Sequence, residues 1–226
     1  MVTPMSPSAS PGTPGEKCYR RIRGDIMTGT LVPGQKLKLD RLKLDYGASI
    51  STLREVLNRL SSERFVLAEG QRGFEVAPVS ASDLKELAAL RVLLESHAIR
   101  QSFASGDMEW EGRVVAAHHK LAQMEERRGA GDRQDVALWK RFDWEFHQAL
   151  ISACGSQTLM QTHAGVFDKY LRYQMLALSD RGEISVREHR RLMECALARD
   201  ADAAARVLEA HVKGGVTHAL SAGTIR

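Results

Sequence analysis

The sequence predicts a mainly α protein in two parts: an N-terminal winged helix-turn-helix and, behind it, an antiparallel bundle of six or seven helices. Three observations carry this. Residues 17–77 alternate short helical periodicities with two β-prone runs, Phe65 to Ala68 and Phe74 to Ala77, separated by Glu69-Gly70-Gln71-Arg72-Gly73. Beyond residue 83 only helical periodicity appears, cut by short Gly, Asp or Ser breaks. At 226 residues the chain exceeds the common single-domain size, so two unequal domains are expected.

Residues 1–15 hold four prolines among Ser, Thr and Gly and read as a disordered tail, leaving residues 16–78 for the first domain and 79–226 for the second. A helix over Lys17 to Thr28 places Tyr19, Ile22, Ile26 and Met27 on one side and stops at Gly29. Pro33-Gly34 makes a turn. The apolar positions from Leu37 to Leu44 support a second short helix over roughly Asp40 to Tyr46, and Gly47 turns the chain into GASISTLREVLNRLSS. In that stretch Ser49 or Ser51 caps a helix whose Leu53, Val56, Leu57 and Leu60 repeat as a buried stripe, while Thr52, Arg54, Asn58 and Arg59 fall off it. Pro78 to Ala81 is a linker, and Ser82 with Asp83 starts the next helix as a cap with an acidic first turn. Six helices follow, over about 83–104, 108–128, 134–153, 156–178, 184–199 and 201–221. Connections as short as Ser105-Gly106-Asp107 and Cys154-Gly155-Ser156 force neighbouring helices to run antiparallel.

Charge separates the two parts. Of 32 Lys+Arg and 28 Asp+Glu, residues 1–78 hold 12 and 8, so the whole excess of +4 lies there and the remainder, 20 against 20, is balanced. Phosphate binding by the first part needs such a distribution, although a solvated basic face gives it too. No apolar run approaches the roughly 20 residues that span a bilayer, and no secretory signal is visible. Three widely spaced cysteines, Cys18, Cys154 and Cys195, argue against a disulfide framework, so the cytoplasm is the expected compartment.

A recognition helix meets the major groove with its first turn. There Ser49, Ser51 and Thr52 can hydrogen-bond phosphates or bases, and Arg54 can bind guanine bidentately. Arg41 on the preceding helix and Arg72 with Gly73 in the wing would flank it as phosphate or minor-groove contacts. Pairing of Arg54 with Glu55, Asn58 or solvent is the competing surface role.

In the bundle, polar residues stand where the helical period calls for apolar ones. Asp143 and His147 share a stripe with Trp139, Phe146 and Leu150; His189 shares one with Val186 and Met193; His211 shares one with Ala204, Val207 and Leu208. A buried carboxylate among imidazoles is costly without compensation. A divalent metal supplies it, and one Asp with three His suits zinc, nickel or manganese. Ordinary buried histidines remain the alternative on spacing alone. Arg91 also faces inward; Arg before Glu95 at i, i+4 is the weaker helix order, and a ligand carboxylate would satisfy it bidentately. Arg172 is a second candidate for the same ligand, and His97, His118, His119, His163 and His218 are left as surface or structural.

The segment IRGDIMTGTLVPGQKL, followed by YGASISTLREVLNRLSSERFVLAEGQRGFEV, resembles the DNA-binding domain of the GntR family of bacterial transcription regulators. It departs at Ile50, where the family often has a polar or basic residue, and at Lys43, where a small one is usual. Arg91-x-x-x-Glu95, Asp143-x-x-x-His147, Glu188-His189-Arg190 and His211 are similar to the FCD ligand-binding domain of the FadR branch. The resemblance implies that Asp143, His147, His189 and His211 hold a divalent metal, and that a small organic acid binds beside it. The function expected is a metabolite-responsive regulator, by family habit a repressor, acting as a homodimer on a palindromic double-stranded DNA operator. A metal-dependent hydrolase or lyase using the Asp/His set, and a constitutive DNA-binding protein whose bundle only dimerises, are the rivals.

Overall fold

The computed structural model describes residues 13–68, 73–129, 136–177 and 181–225. The chain divides into two compact units, Met1–Pro78 and Val79–Arg226.

In the first unit α1 (Pro14–Thr28) begins three residues earlier than its apolar stripe suggests. Pro14 has φ preset for the first turn, and Thr13 Oγ1 accepts the Glu16 N–H at 3.2 Å. The expected tail is therefore shorter at its C-terminal end; residues 1–12 lie outside the described residues. Gly29, at φ 80°, ends α1 in the left-handed conformation. α2 (Leu39–Tyr46) and α3 (Ile50–Ser62) follow, and Ser49 resolves the cap: its Oγ accepts the Thr52 N–H at 3.1 Å. Leu53, Val56, Leu57 and Leu60 of α3 are buried.

Lys36–Leu37, read from sequence as the approach to the second helix, is a strand, β1. With β2 (Val66–Ala68) and β3 (Phe74–Val76) it makes an antiparallel sheet of order β1-β3-β2, with Leu37 opposite Phe74. Two residues carry no period of their own, so only the partner strand, far along the chain, makes them a strand. The wing residue Arg72 lies outside the described residues.

The second unit is α4 (Ala81–Ser105), α5 (Met108–Gly129), α6 (Val136–Ile151), α7 (Gln157–Leu176), α8 (Glu183–Leu197) and α9 (Ala201–Ser221). Ser80, not Ser82, caps α4 by accepting the Asp83 N–H at 3.1 Å, so the helix starts inside the expected linker. Ser156 and Asp200 cap α7 and α9 in the same way. α4 packs on α7 and α9, and α5 on α6 and α8, around a core that includes Trp110, Phe146, Leu121, Tyr170 and Leu208. No helix among the described residues is long and apolar enough to cross a membrane.

Candidate functional site

At the N-terminus of α3 the hydroxyls of Ser49, Ser51 and Thr52 form one cluster, 2.8 and 2.9 Å apart around Ser49 Oγ. Next to it Arg54 is exposed and has no hydrogen-bond or ion-pair partner among the described residues. Arg41 is held only by an exposed pair with Asp45, 3.0 Å, the kind that contributes little and is readily exchanged for a phosphate. Gly73 sits at φ 99°, a conformation that suits glycine at the turn of a wing. Ile50, the first residue of α3, is half-buried.

In the helical unit Asp143, His147, His189 and His211 converge from α6, α8 and α9. All four are buried, and one ligand atom from each lies within 4.8 Å of the others. The i, i+4 spacing puts Asp143 and His147 on one face of α6; α8, packed on α5 and α9, and α9, packed on α4 and α8, bring the other two.

Each of the three imidazoles has its Nδ1 held by a glutamate. Glu95 Oε2 lies 3.0 Å from Nδ1 of His147, Glu125 Oε1 2.7 Å from that of His189, and Glu188 Oε2 2.8 Å from that of His211. A carboxylate accepts only, so Nδ1 of His147 and of His189 carries a proton toward its glutamate, while His211 Nδ1 sits between Glu188 and the donor Arg181 Nη2, 3.0 Å away. Nε2 of both His147 and His189 is buried without a hydrogen bond. His189 Nε2 is 3.2 Å from Asp143 Oδ1 but not aligned to bond it. Orphaned imidazole nitrogens beside a buried carboxylate, each ring oriented by a second carboxylate, are what a divalent ion requires. The residues therefore fit a metal.

The electrostatics agree. Burial lowers the His189 pKa, but Asp143 and Glu125 outweigh it and push it up to about 9, so the two carboxylates demand a positive charge between them. Burial instead drives His211 down to about 3, with the neighbouring His189, His147 and Arg91 adding to it against Glu188. Burial raises the Asp143 carboxyl, yet Lys140, His189 and His147 hold it well below the usual range.

Arg91 borders the same space. Its Nε donates to Glu95 Oε1 at 2.7 Å, its guanidinium stacks over Phe167 at 4.2 Å and Tyr170 at 4.8 Å, and Nη2 is buried without a partner. The residue is 1% exposed. Glu95 is thus the partner of Arg91 after all, and one donor is still left over. Arg172 is not part of this site. It is buried beside Tyr173 and Asp83, and burial lowers its pKa against the pull of both.

Three participants were not singled out from sequence. Glu125 sits in the charge-rich run Glu125-Glu126-Arg127-Arg128, which reads as a solvated face. Arg181 donates to Glu188 and reaches His211, from a connection with no helical period. His163, left as surface or structural, is fully buried and gives Glu95 Oε1 a further bond of 2.6 Å. No signal in a single sequence marks any of the three.

Residues 14–76 match the bacterial regulatory proteins of the gntR family, and residues 86–214 match the FCD domain. BphR of Paraburkholderia xenovorans, an uncharacterized HTH-type transcriptional regulator, is 37% identical over 213 residues, covering 93% of this chain and 87% of that protein. The HTH-type transcriptional repressor GlaR of Escherichia coli is 32% identical over 203 residues, covering 86% and 90%. Among solved structures, E. coli McbR/YncC shares the fold with a TM-score of 0.75 at 17% identity, over 93% of this chain and 98% of that one. A winged helix-turn-helix with a free arginine on its recognition helix, an FCD bundle and relatives named as regulators agree: the chain is a transcriptional regulator and belongs to the GntR family, with an FCD domain.

Proposed function

We propose that this regulator is a metabolite-responsive repressor, acting in the cytoplasm as a homodimer on a palindromic operator. Ser49, Ser51, Thr52 and Arg54 enter the major groove, with Arg41 and the wing residues Arg72 and Gly73 on the flanking backbone. Asp143, His147, His189 and His211 hold a divalent ion, zinc first and nickel or manganese next. When bound, that ion supplies a Lewis-acid anchor for one carboxylate of a small organic acid. Arg91 Nη2 donates to the same acid, and Glu95 keeps the guanidinium from rotating away. The ligand shifts operator affinity only by the difference in its affinity for the operator-bound and free arrangements of the dimer.

The observation that carries this reading is the glutamate behind each histidine. Three buried histidines each held at Nδ1 by a glutamate, two of them with Nε2 within 4 Å of Asp143, are needless in a bundle that only dimerises. Elemental analysis of protein purified without chelator, with anisotropy titration on DNA flanking its gene, tests it. The expected result is about one ion per chain and sequence-specific binding that weakens with salt; binding indifferent to sequence, or protein without metal, sinks it. For the rival hydrolase or lyase, the measurement is turnover of small esters or hydroxy acids that disappears in His189→Ala.

A further inference from the structure

The space lined by Asp143, His189, His211 and Arg91 measures about 30 Å³. That is room for about one or two waters, far short of the roughly 300 Å³ at which metabolite pockets begin. A second, open cleft of about 830 Å³ lies between the C-terminal end of α5, the N-terminal end of α6 and the N-terminal end of α8. Trp139 and Ser185 line both.

Two residues lining this outer cleft each carry a polar atom buried without a hydrogen bond: Trp139, 4% exposed, at Nε1, and Glu125, 7% exposed, at Oε2. One is a donor and the other an acceptor, and both are costly to leave unpaired. Glu125 Oε1 already holds His189, so a group bound at Oε2 touches the inner site through one side chain. The cleft is also lined by Glu126 and Glu183 against Arg128 and Arg190. With Glu125 this makes three acids to two bases, a poor environment for an anion.

We infer that the effector is a monocarboxylate whose chain passes Ser185 into the outer cleft and ends there in a neutral group that both donates and accepts, a hydroxyl or primary amide, bonded to Glu125 Oε2 and Trp139 Nε1. This rests on the inner-site reading above, which places the carboxylate head. A second carboxylate at the far end is disfavoured by the acidic lining.

The test uses the full-length, zinc-loaded protein and calorimetry with pentanoate, 5-hydroxypentanoate and hexanedioate. The hydroxy acid is expected to bind roughly tenfold tighter than pentanoate, the effect of one hydrogen bond to a charged group, and tighter than the diacid. Val186→Trp, which fills the cleft, and Trp139→Phe, which removes only the N–H donor and keeps a ring, should each retain zinc and lose most of that advantage. Equal binding of the two monoacids, preference for the diacid, or an advantage that survives both variants overturns the inference. Wild-type protein that keeps no zinc, or keeps it and binds none of the acids, overturns the inner-site proposal, and this inference with it.

Discussion

Arg54 and Arg59 lie five residues apart on α3 and differ in what they have left to offer. Arg59 stacks on Tyr19 at 3.6 Å and pairs with Glu16 at 3.0 Å, tying α3 to α1. Arg54 has none of this. Arg54→Ala is therefore expected to weaken operator binding about tenfold or more, the roughly 1–3 kcal/mol of a bidentate base contact, with melting temperature unchanged. Arg59→Ala should show the reverse pattern; anisotropy and thermal melts on both variants decide it. Glu95 is the corresponding residue in the bundle, since its two oxygens hold Arg91, His163 and His147. Glu95→Gln leaves the Arg91 guanidinium buried without its counter-charge, a loss of about 3–5 kcal/mol by denaturant unfolding. It also loosens the ring of His147, so zinc affinity should fall roughly 10–100-fold. A variant as stable as wild type would show that Arg91 has another counter-charge.

At the scale of the element, α9 shows why a helix can need its weakest formers. Gly214 and Gly215 lie in its interior, where glycine costs about 1 kcal/mol relative to alanine. A Cβ on Gly215 would collide with the hydroxyl of Tyr170, which donates to the Val212 carbonyl at 3.3 Å, and one on Gly214 would collide with Arg181. Gly112 in α5 has nothing within 4 Å of such a Cβ and is exposed. Gly112→Ala is expected to raise stability by up to about 1 kcal/mol, whereas Gly215→Ala should lower it despite the better propensity. Thermal unfolding of the two single variants checks the sign of each, and stabilisation by both would mean that Tyr170 moves aside freely.

For the whole molecule, an ion bound only by the folded helical unit stabilises that unit and not the winged helix-turn-helix. Saturating zinc at 1,000 times its dissociation constant adds about 4 kcal/mol. Calorimetry with and without a chelator should then show one transition moving down and another staying in place. Two transitions that move together would tie the units into one cooperative block, and none moving would remove the ion from the argument.

Sequence by itself determined the order of the helices and of the two wing strands, and the inward faces. The stripe Leu53, Val56, Leu57, Leu60 and the pairs Arg91–Glu95 and Asp143–His147 are local patterns with the helix's own period, and local patterns are what one sequence displays. It also located the four ligand candidates, because a polar residue on an apolar stripe stands out wherever it falls. Tertiary structure alone decided the rest. Whether Lys36–Leu37 is a strand depends on Phe74 and Glu75 arriving beside it. Whether Glu125 is solvated or locks His189, whether Arg172 meets the ligand cavity or Asp83, and whether His163 joins Glu95 depend on which helix faces which. Those choices are made by side-chain packing between residues tens of positions apart, and that has no period to read.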